Sequence, residues 1–145
     1  MLKGIGRWLR AAGYDAAIAR DGTADDELLA QARAEDRILL TCDRGLAARG
    51  APAAVVLLAT ESLDEAAAVL RERLAIDWLH APFSRCLLDN ARLRPAEPAA
   101  LARLPQRART GVGPITVCPE CGRIYWPGSH VGRMRARLER WRQAV

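Results

Sequence analysis

Arg37-Ile-Leu-Leu-Thr-Cys-Asp43 is the stretch whose reading decides the fold. Three apolar residues in a row, Ile38 to Leu40, are too few for a helical stripe. Closed by Arg37 on one side and Thr41-Cys-Asp43 on the other, they predict a short buried strand. Open α/β sheets bind ligands beyond the carboxyl ends of their strands. Asp43 is therefore expected to point into such a crevice.

Working outward, Ala53 to Ala59, with Val55-Val-Leu-Leu58, is the clearest further buried strand. Tyr14 to Ala19 predicts a third, with Ile18 and the alanines as its buried part, and Asp21-Gly22 marks a turn. Helices fall between them. Met1 to Ala12 places Leu2, Ile5, Trp8, Leu9 and Ala12 at helical spacing, and Gly13 is a stop signal. Thr23 is expected to cap a helix that opens on Asp25 and Asp26 and ends near Asp36. Asp43 to Arg49 predicts a short helix ended by Gly50 and Pro52. Ser62-Leu-Asp-Glu65 matches a capping box opening a helix to about Ala75. Residues 1–80 thus alternate helix and strand, the pattern of an α/β domain with a parallel sheet flanked by helices. The chain opens on a helix, so the sheet's first strand is missing.

From Ala81 the character changes. Pro82, Pro95, Pro98, Pro105, Pro114, Pro119 and Pro127 cluster here. One long element remains, a helix from His130 to Gln143. Its apolar stripe is Val131, Met134, Leu138, Trp141 and Val145, beside a stripe of Arg133, Arg137 and Arg140. Residues 81–145 are expected to form a small second domain.

Charge follows the same division. Residues 1–80 carry 10 Lys/Arg and 13 Asp/Glu, a net of −3; residues 81–145 carry 12 Arg and 4 Asp/Glu, a net of +8. Acids in one half and bases in the other suit a protein that handles a polyanion with the help of a divalent cation. The plainer reading is a compositional bias toward Arg and Ala, with the arginines on solvated faces. No apolar run of 18 residues and no export signal is present, so a cytoplasmic protein with no membrane association is expected.

Four cysteines without an export signal point to a metal site or free thiols before disulfides. Cys118-Pro-Glu-Cys121-Gly122 is the sharpest signal: the tight turn lets two sulfurs reach one tetrahedral ion, and glycine relieves the backbone. Upstream, Cys86-Leu-Leu-Asp89 has the same spacing with Asp89 as an oxygen ligand. Zn²⁺ on Cys86, Asp89, Cys118 and Cys121 is the expectation, with His130 as another fourth ligand, free thiols as the plain alternative and a redox pair as the weakest. Cys42 reads as a small buried residue rather than a nucleophile.

The candidate catalytic acids are Asp25, Asp26 and Asp43. Mg²⁺ or Mn²⁺ takes oxygen ligands and keeps several waters. Asp43 at a strand end and Asp25 in a helix's first turn would be its ligands, with Asp26 beside them. The plain alternatives are acids favoured by a helix dipole, and Asp43 as a helix cap.

Taken in order, Met1-Leu-Lys-Gly-Ile-Gly-Arg-Trp-Leu-Arg10, Gly13-Tyr-Asp15, Asp25-Asp-Glu-Leu-Leu29, Leu39-Leu-Thr-Cys-Asp-Arg44, Phe83-Ser-Arg-Cys86, Cys118-Pro-Glu-Cys-Gly-Arg-Ile-Tyr-Trp126 and Gly128-Ser-His130 resemble the Mut-seven C-terminal RNase-domain family. That family is a PIN-like nuclease fold fused to a zinc ribbon, and the likeness runs from Met1 to about Met134. The resemblance implies metal-dependent RNA cleavage, with Asp43 and Asp25 or Asp26 in the acidic site and a structural zinc in the ribbon. Arg7, Arg10, Arg133 and Arg137 are then expected to contact RNA phosphates, and Tyr125 and Trp126 either to stack on bases or to pack the ribbon. Two departures stand out. Such domains begin with a strand ending in Asp before the first helix, which a start assigned at an internal Met would remove. Asp89 stands where the family has Cys. A non-catalytic RNA-binding module is the alternative function and a zinc-ribbon adaptor for another protein a third; a homodimer is left open.

Overall fold

A computed structural model describes residues 1–109 and 113–144. The chain packs as two units. One comprises Met1–Gly6 and Ala17–Leu74, the other Arg7–Ala16 and Ala75–Val145. Among the described residues no helix is long and apolar enough to cross a membrane.

The first helix, α1 (Leu2–Ala11), gives its first half to the first unit and its second half, from Arg7, to the second. In the first unit α2 (Asp25–Ala34), β1 (Leu39–Thr41), α3 (Arg44–Arg49), β2 (Val55–Leu57) and α4 (Leu63–Leu74) follow. The strands β1 and β2 pair in parallel, with Leu39 opposite Val55 and Thr41 opposite Leu57. Parallel pairing needs a crossover, and α3 supplies it. Leu29, Leu46 and Val55 form the cluster under this unit, with Leu28, Leu39 and Ala47 against it. Each such buried aliphatic contributes about 1.5–3 kcal/mol. Ile38, expected inside the strand, lies outside it and is 47% exposed.

Two local expectations fail here. Thr23 does not cap α2; its hydroxyl donates to Arg20 O at 2.9 Å, claimed by the Asp21-Gly22 turn, and Ala24 stands at the cap without a side-chain bond. The capping box of α4 is half made. Ser62 Oγ accepts from Glu65 N at 3.4 Å, while the Glu65 carboxylate takes the Thr60 hydroxyl instead.

The second unit contains β3 (Arg94–Pro95), α5 (Pro98–Ala102), α6 (Gln106–Arg109), β4 (Thr116–Val117), β5 (Ile124–Tyr125) and α7 (Ser129–Gln143). The three short strands form an antiparallel sheet in the order β3-β4-β5. Leu138 and Trp141 of α7 are buried, and Val131 and Met134 half-buried; Val145, the expected end of that stripe, lies outside the described residues. The Trp141 ring meets Trp8 edge-on at 5.0 Å and Trp78 at 4.8 Å.

Tyr14 to Ala19 forms no strand. At its middle the backbone groups of Ala16 go to side chains: Ala16 N donates to Asn90 Oδ1 at 3.2 Å, and Ala16 O accepts from Arg10 Nε at 2.7 Å. With both groups satisfied, Ala16 requires no ladder partner. Ahead of this segment α1 ends in a Schellman motif. Tyr14 N bonds Leu9 O at 2.9 Å and Gly13 N bonds Arg10 O at 3.0 Å, with Gly13 at φ +99°. A Cβ on Gly13 would sit 2.3 Å from Ala81 O. Gly13→Ala is expected to destabilise by more than about 2 kcal/mol, read as a lowered denaturation midpoint. A change under about 0.5 kcal/mol would remove this residue from the account.

Candidate functional site

Two turns in the second unit share one geometry. In the first, Cys86 N bonds Ala91 O at 2.8 Å and Asn90 N bonds Cys86 O at 3.0 Å. In the second, Cys118 N bonds Arg123 O at 2.9 Å and Gly122 N bonds Cys118 O at 3.0 Å. Asn90 (φ +67°) and Gly122 (φ +69°) occupy the same left-handed position. Glycine takes it without a Cβ penalty, and asparagine tolerates it best among the rest. Asp89 and Cys121 are thus structural equivalents. A bridge between Arg85 and Arg92 closes the first turn, and β4 and β5 flank the second.

The turns bring Cys86, Asp89, Cys118 and Cys121 together, with their ligand atoms all within 4.8 Å of one another. Cys86 Sγ lies 3.8 Å from Cys121 Sγ. Asp89 Oδ2 lies 3.4 Å from Cys86 Sγ and 3.3 Å from Cys118 Sγ. Cys86 and Cys118 are buried, Cys121 and Asp89 exposed. These four side chains can hold a metal ion. His130 is exposed and stands outside the group.

The electrostatics favour a cation. The Asp89 carboxylate pushes the Cys121 thiol up to about 12. Burial pushes the Cys118 thiol up as well. At Cys86 burial acts upward too, but the Tyr125 hydroxyl and the backbone around Asp89 outweigh it and hold the thiol below its ordinary value. Hydrogen bonds from Cys121 and Cys118 hold Asp89 below the usual carboxylate range. Thiols crowded on a carboxylate keep their protons, and a divalent ion would release them by supplying the missing positive charge.

Tyr125 is tied to this cluster. Its hydroxyl lies 3.2 Å from Cys86 Sγ and accepts from Leu87 N at 3.1 Å, which makes it part of the packing around the cysteine turns, whereas Trp126 is 39% exposed. Asn90 and Tyr125 had no ligand-like signature. The signal for Asn90 was its place directly after Asp89, matching glycine after Cys121.

The acids lie in the first unit. Asp43 caps α3, its Oδ1 accepting from Leu46 N at 3.0 Å, and its own N–H donates to Thr41 Oγ1 at 3.0 Å. Arg49, in the last turn of α3, bonds Asp25 at 3.3 Å and also Asp26. Arg49 therefore brings Asp25 and Asp26 to one guanidinium. Among the described residues the acids form no group of three or more side chains close enough for one ion. Cys42, expected to be buried, is exposed.

The arginines divide. Arg7 and Arg133 are exposed. Arg10, expected to face RNA, is 5% exposed and spends its guanidinium on backbone carbonyls. Arg137, also expected to face RNA, is half-buried, with its guanidinium 4.9 Å from the Trp141 ring centroid and 5.4 Å from that of Trp8. Cation–π stacking and burial draw both inward.

Because Asp89 and Cys121 are equivalent, Asp89→Cys is expected to leave the fold unchanged and tighten zinc binding by about tenfold or more, since Zn²⁺ favours thiolate over carboxylate. Competition with a chromophoric chelator measures this. Unchanged or weaker affinity would mean the two turns are not interchangeable.

No match was found among curated proteins or among solved structures. The family model of the Mut7-C RNAse domain matches residues 1–138. That span covers the first unit and all but the last residues of the second, including the cysteine turns and the acids, and it implies a ribonuclease-related role with RNA as substrate. The chain belongs to the Mut7-C RNAse domain family.

Proposed function

We propose that the protein is a metal-dependent ribonuclease that hydrolyses RNA phosphodiester bonds, with a PIN-like nuclease half (residues 1–80) and a zinc-ribbon-like half (residues 81–145). The observation that carries this reading is the pairing of Asp25 and Asp26 around the single cation of Arg49. Two carboxylates, Asp26 exposed and Asp25 half-buried, gathered on one positive charge make a pair that Mg²⁺ or Mn²⁺ can take over from the guanidinium. Asp43 follows the carboxyl end of β1 and caps the helix that carries Arg49. Asp25 and Asp26 would hold the ion, which would supply an activated water and steady the leaving oxygen; Asp43, which forms no ion-sized group with them as the chain stands, would join them on loading. Arg7 and Arg133 would position phosphates as point contacts, with salt-dependent affinity.

Zn²⁺ is the ion we assign to the cysteine cluster. Tetrahedral zinc, with sulfur at about 2.3 Å and oxygen at about 2.0–2.2 Å, sets edges of about 3.8 Å between sulfurs and about 3.5–3.7 Å between sulfur and oxygen. The 3.8 Å spacing matches the first edge, those of 3.3–3.4 Å fall slightly short of the second, and all four ligand atoms lie within 4.8 Å of one another. The zinc would be structural, since four protein ligands leave no open position.

A second reading is favoured by one observation. The acid carboxylates already have partners, Asp43 in a cap and the other two on Arg49, as in an RNA-binding module without catalysis. Incubation of single-stranded RNA with the protein and Mn²⁺ separates the two. Metal-dependent cleavage supports the nuclease, a mobility shift without cleavage supports the module, and neither shift nor cleavage overturns both.

A further inference from the structure

Arg10 is buried to 5% exposure beside the first cysteine turn. Its Nη1 donates to Leu87 O at 3.0 Å and to Leu88 O at 2.6 Å, and its Nε donates to Ala16 O at 2.7 Å. Leu87 and Leu88 are the two residues that separate Cys86 from Asp89. The guanidinium therefore grips the part of the turn that sets the distance between those two ligand atoms. The equivalent second turn reads Cys118-Pro-Glu-Cys121, and Pro119 fixes its backbone through its own ring. The first turn has Leu87 at that place and needs its restraint from outside.

Charge points the same way. Three thiolates and one carboxylate around a divalent ion leave a net charge of −2. A buried guanidinium is costly unless an anion lies near, and the three hydrogen bonds of Arg10 go to neutral carbonyls. Burial lowers the affinity of Arg10 for its proton, while the charges of Cys86 and Asp89 act in the opposite sense. Arginine keeps its charge in such a place and offers a planar fork to several acceptors at once.

We propose that Arg10 is a positioning residue of the metal centre, one that clamps the Cys86–Asp89 turn through its two middle carbonyls and offsets the negative charge of the loaded site. The assignment rests on the cluster binding a metal ion. It gives the first helix a task in metal retention rather than in contacting RNA at this position. Groups that orient metal ligands typically control affinity by about 10- to 100-fold.

The test uses the full chain as wild type, Arg10→Lys and Arg10→Met, loaded with Co²⁺ or Zn²⁺. Three quantities are read: the thiolate-to-cobalt charge-transfer band, zinc affinity by chelator competition, and the melting temperature in excess chelator. Arg10→Lys keeps the charge but loses the fork, and is expected to bind zinc about 10-fold more weakly; Arg10→Met loses both, and is expected to bind about 100-fold more weakly. The cobalt band should weaken in the same order. A purely structural residue would lower only the melting temperature of the chelated protein. Unchanged band and affinity, within about twofold, in both variants overturn the proposal while leaving the metal site standing. A wild-type protein that gives no cobalt band overturns the metal reading, and this inference with it. Should Arg10→Met fail to fold, the Arg10 Nε–H exchange rate in wild type decides. It is expected to slow by about tenfold or more on zinc binding, and an unchanged rate overturns the assignment.

Discussion

Cys118→Ser is expected to abolish tight metal binding, with a loss of zinc affinity well above the roughly 100-fold typical of removing a group that merely orients a ligand. Cys118 is 1% exposed, and its sulfur sits 3.3 Å from Asp89 Oδ2. A serine hydroxyl fits the same space and can keep the hydrogen bond to the carboxylate. It does not become an anionic donor near neutral pH, so the site would drop to two thiolates and one carboxylate. Binding a structural zinc and folding the segment around it are one process, so the loss should also appear as a lower melting temperature of the zinc-loaded protein. With chelator present, wild type and variant should melt close together. A variant that holds zinc as tightly as wild type would show that the three sulfurs and Asp89 are not the ligand set.

Asp43→Asn is expected to lower Mn²⁺-dependent RNA cleavage by about 100-fold or more while leaving RNA binding in place. The substitution suits the question because Asp43 has two candidate roles. As the cap of α3 its side chain accepts from Leu46 N, and asparagine caps about as well as aspartate. The helix should therefore remain, with a stability change of about 1 kcal/mol or less. As an ion ligand the same change removes a full negative charge. At 4 Å and an effective dielectric of about 20, one pair of unit charges interacts by about 4 kcal/mol, and each 1.36 kcal/mol of barrier is about tenfold in rate. Initial rates on single-stranded RNA across a Mn²⁺ titration would measure it. Cleavage at the wild-type rate would leave Asp43 with the cap alone.

What the sequence made legible was what a few neighbouring residues determine. Two residues separate Cys118 from Cys121, so one turn suffices to bring them together, and the same spacing carried Asp89 to its place beside Cys86. Leu39 to Thr41 and Val55 to Leu57 were readable because runs of apolar β-formers bounded by turn residues have few other uses. The failures came from partners far along the chain. Tyr14 to Ala19 has strand-like residues, yet Arg10 and Asn90 satisfy Ala16, and the second of these lies 74 residues away. Arg10 looked like an outward-facing arginine on an amphipathic helix. Its partners Leu87 and Leu88 lie 77 and 78 residues downstream, beyond any local pattern. The stacking of Arg137 on Trp8 and Trp141 was not legible for a related reason, since it requires two distant segments to meet. At the acids the spacing gave Asp25 and Asp26 a shared helix turn, but nothing local announced that Arg49 would claim both.

The chain has four tryptophans, at positions 8, 78, 126 and 141, and all of them fall in the second unit. Three share the cluster around Trp141, with Arg137 against two of the rings. Intrinsic indole fluorescence is thus a spectroscopic window on the unit that carries the cysteine turns. Loss of structure between residues 17 and 74, where the carboxylates lie, would pass without a direct emission signal. Following that unit requires backbone circular dichroism or an indole engineered into it.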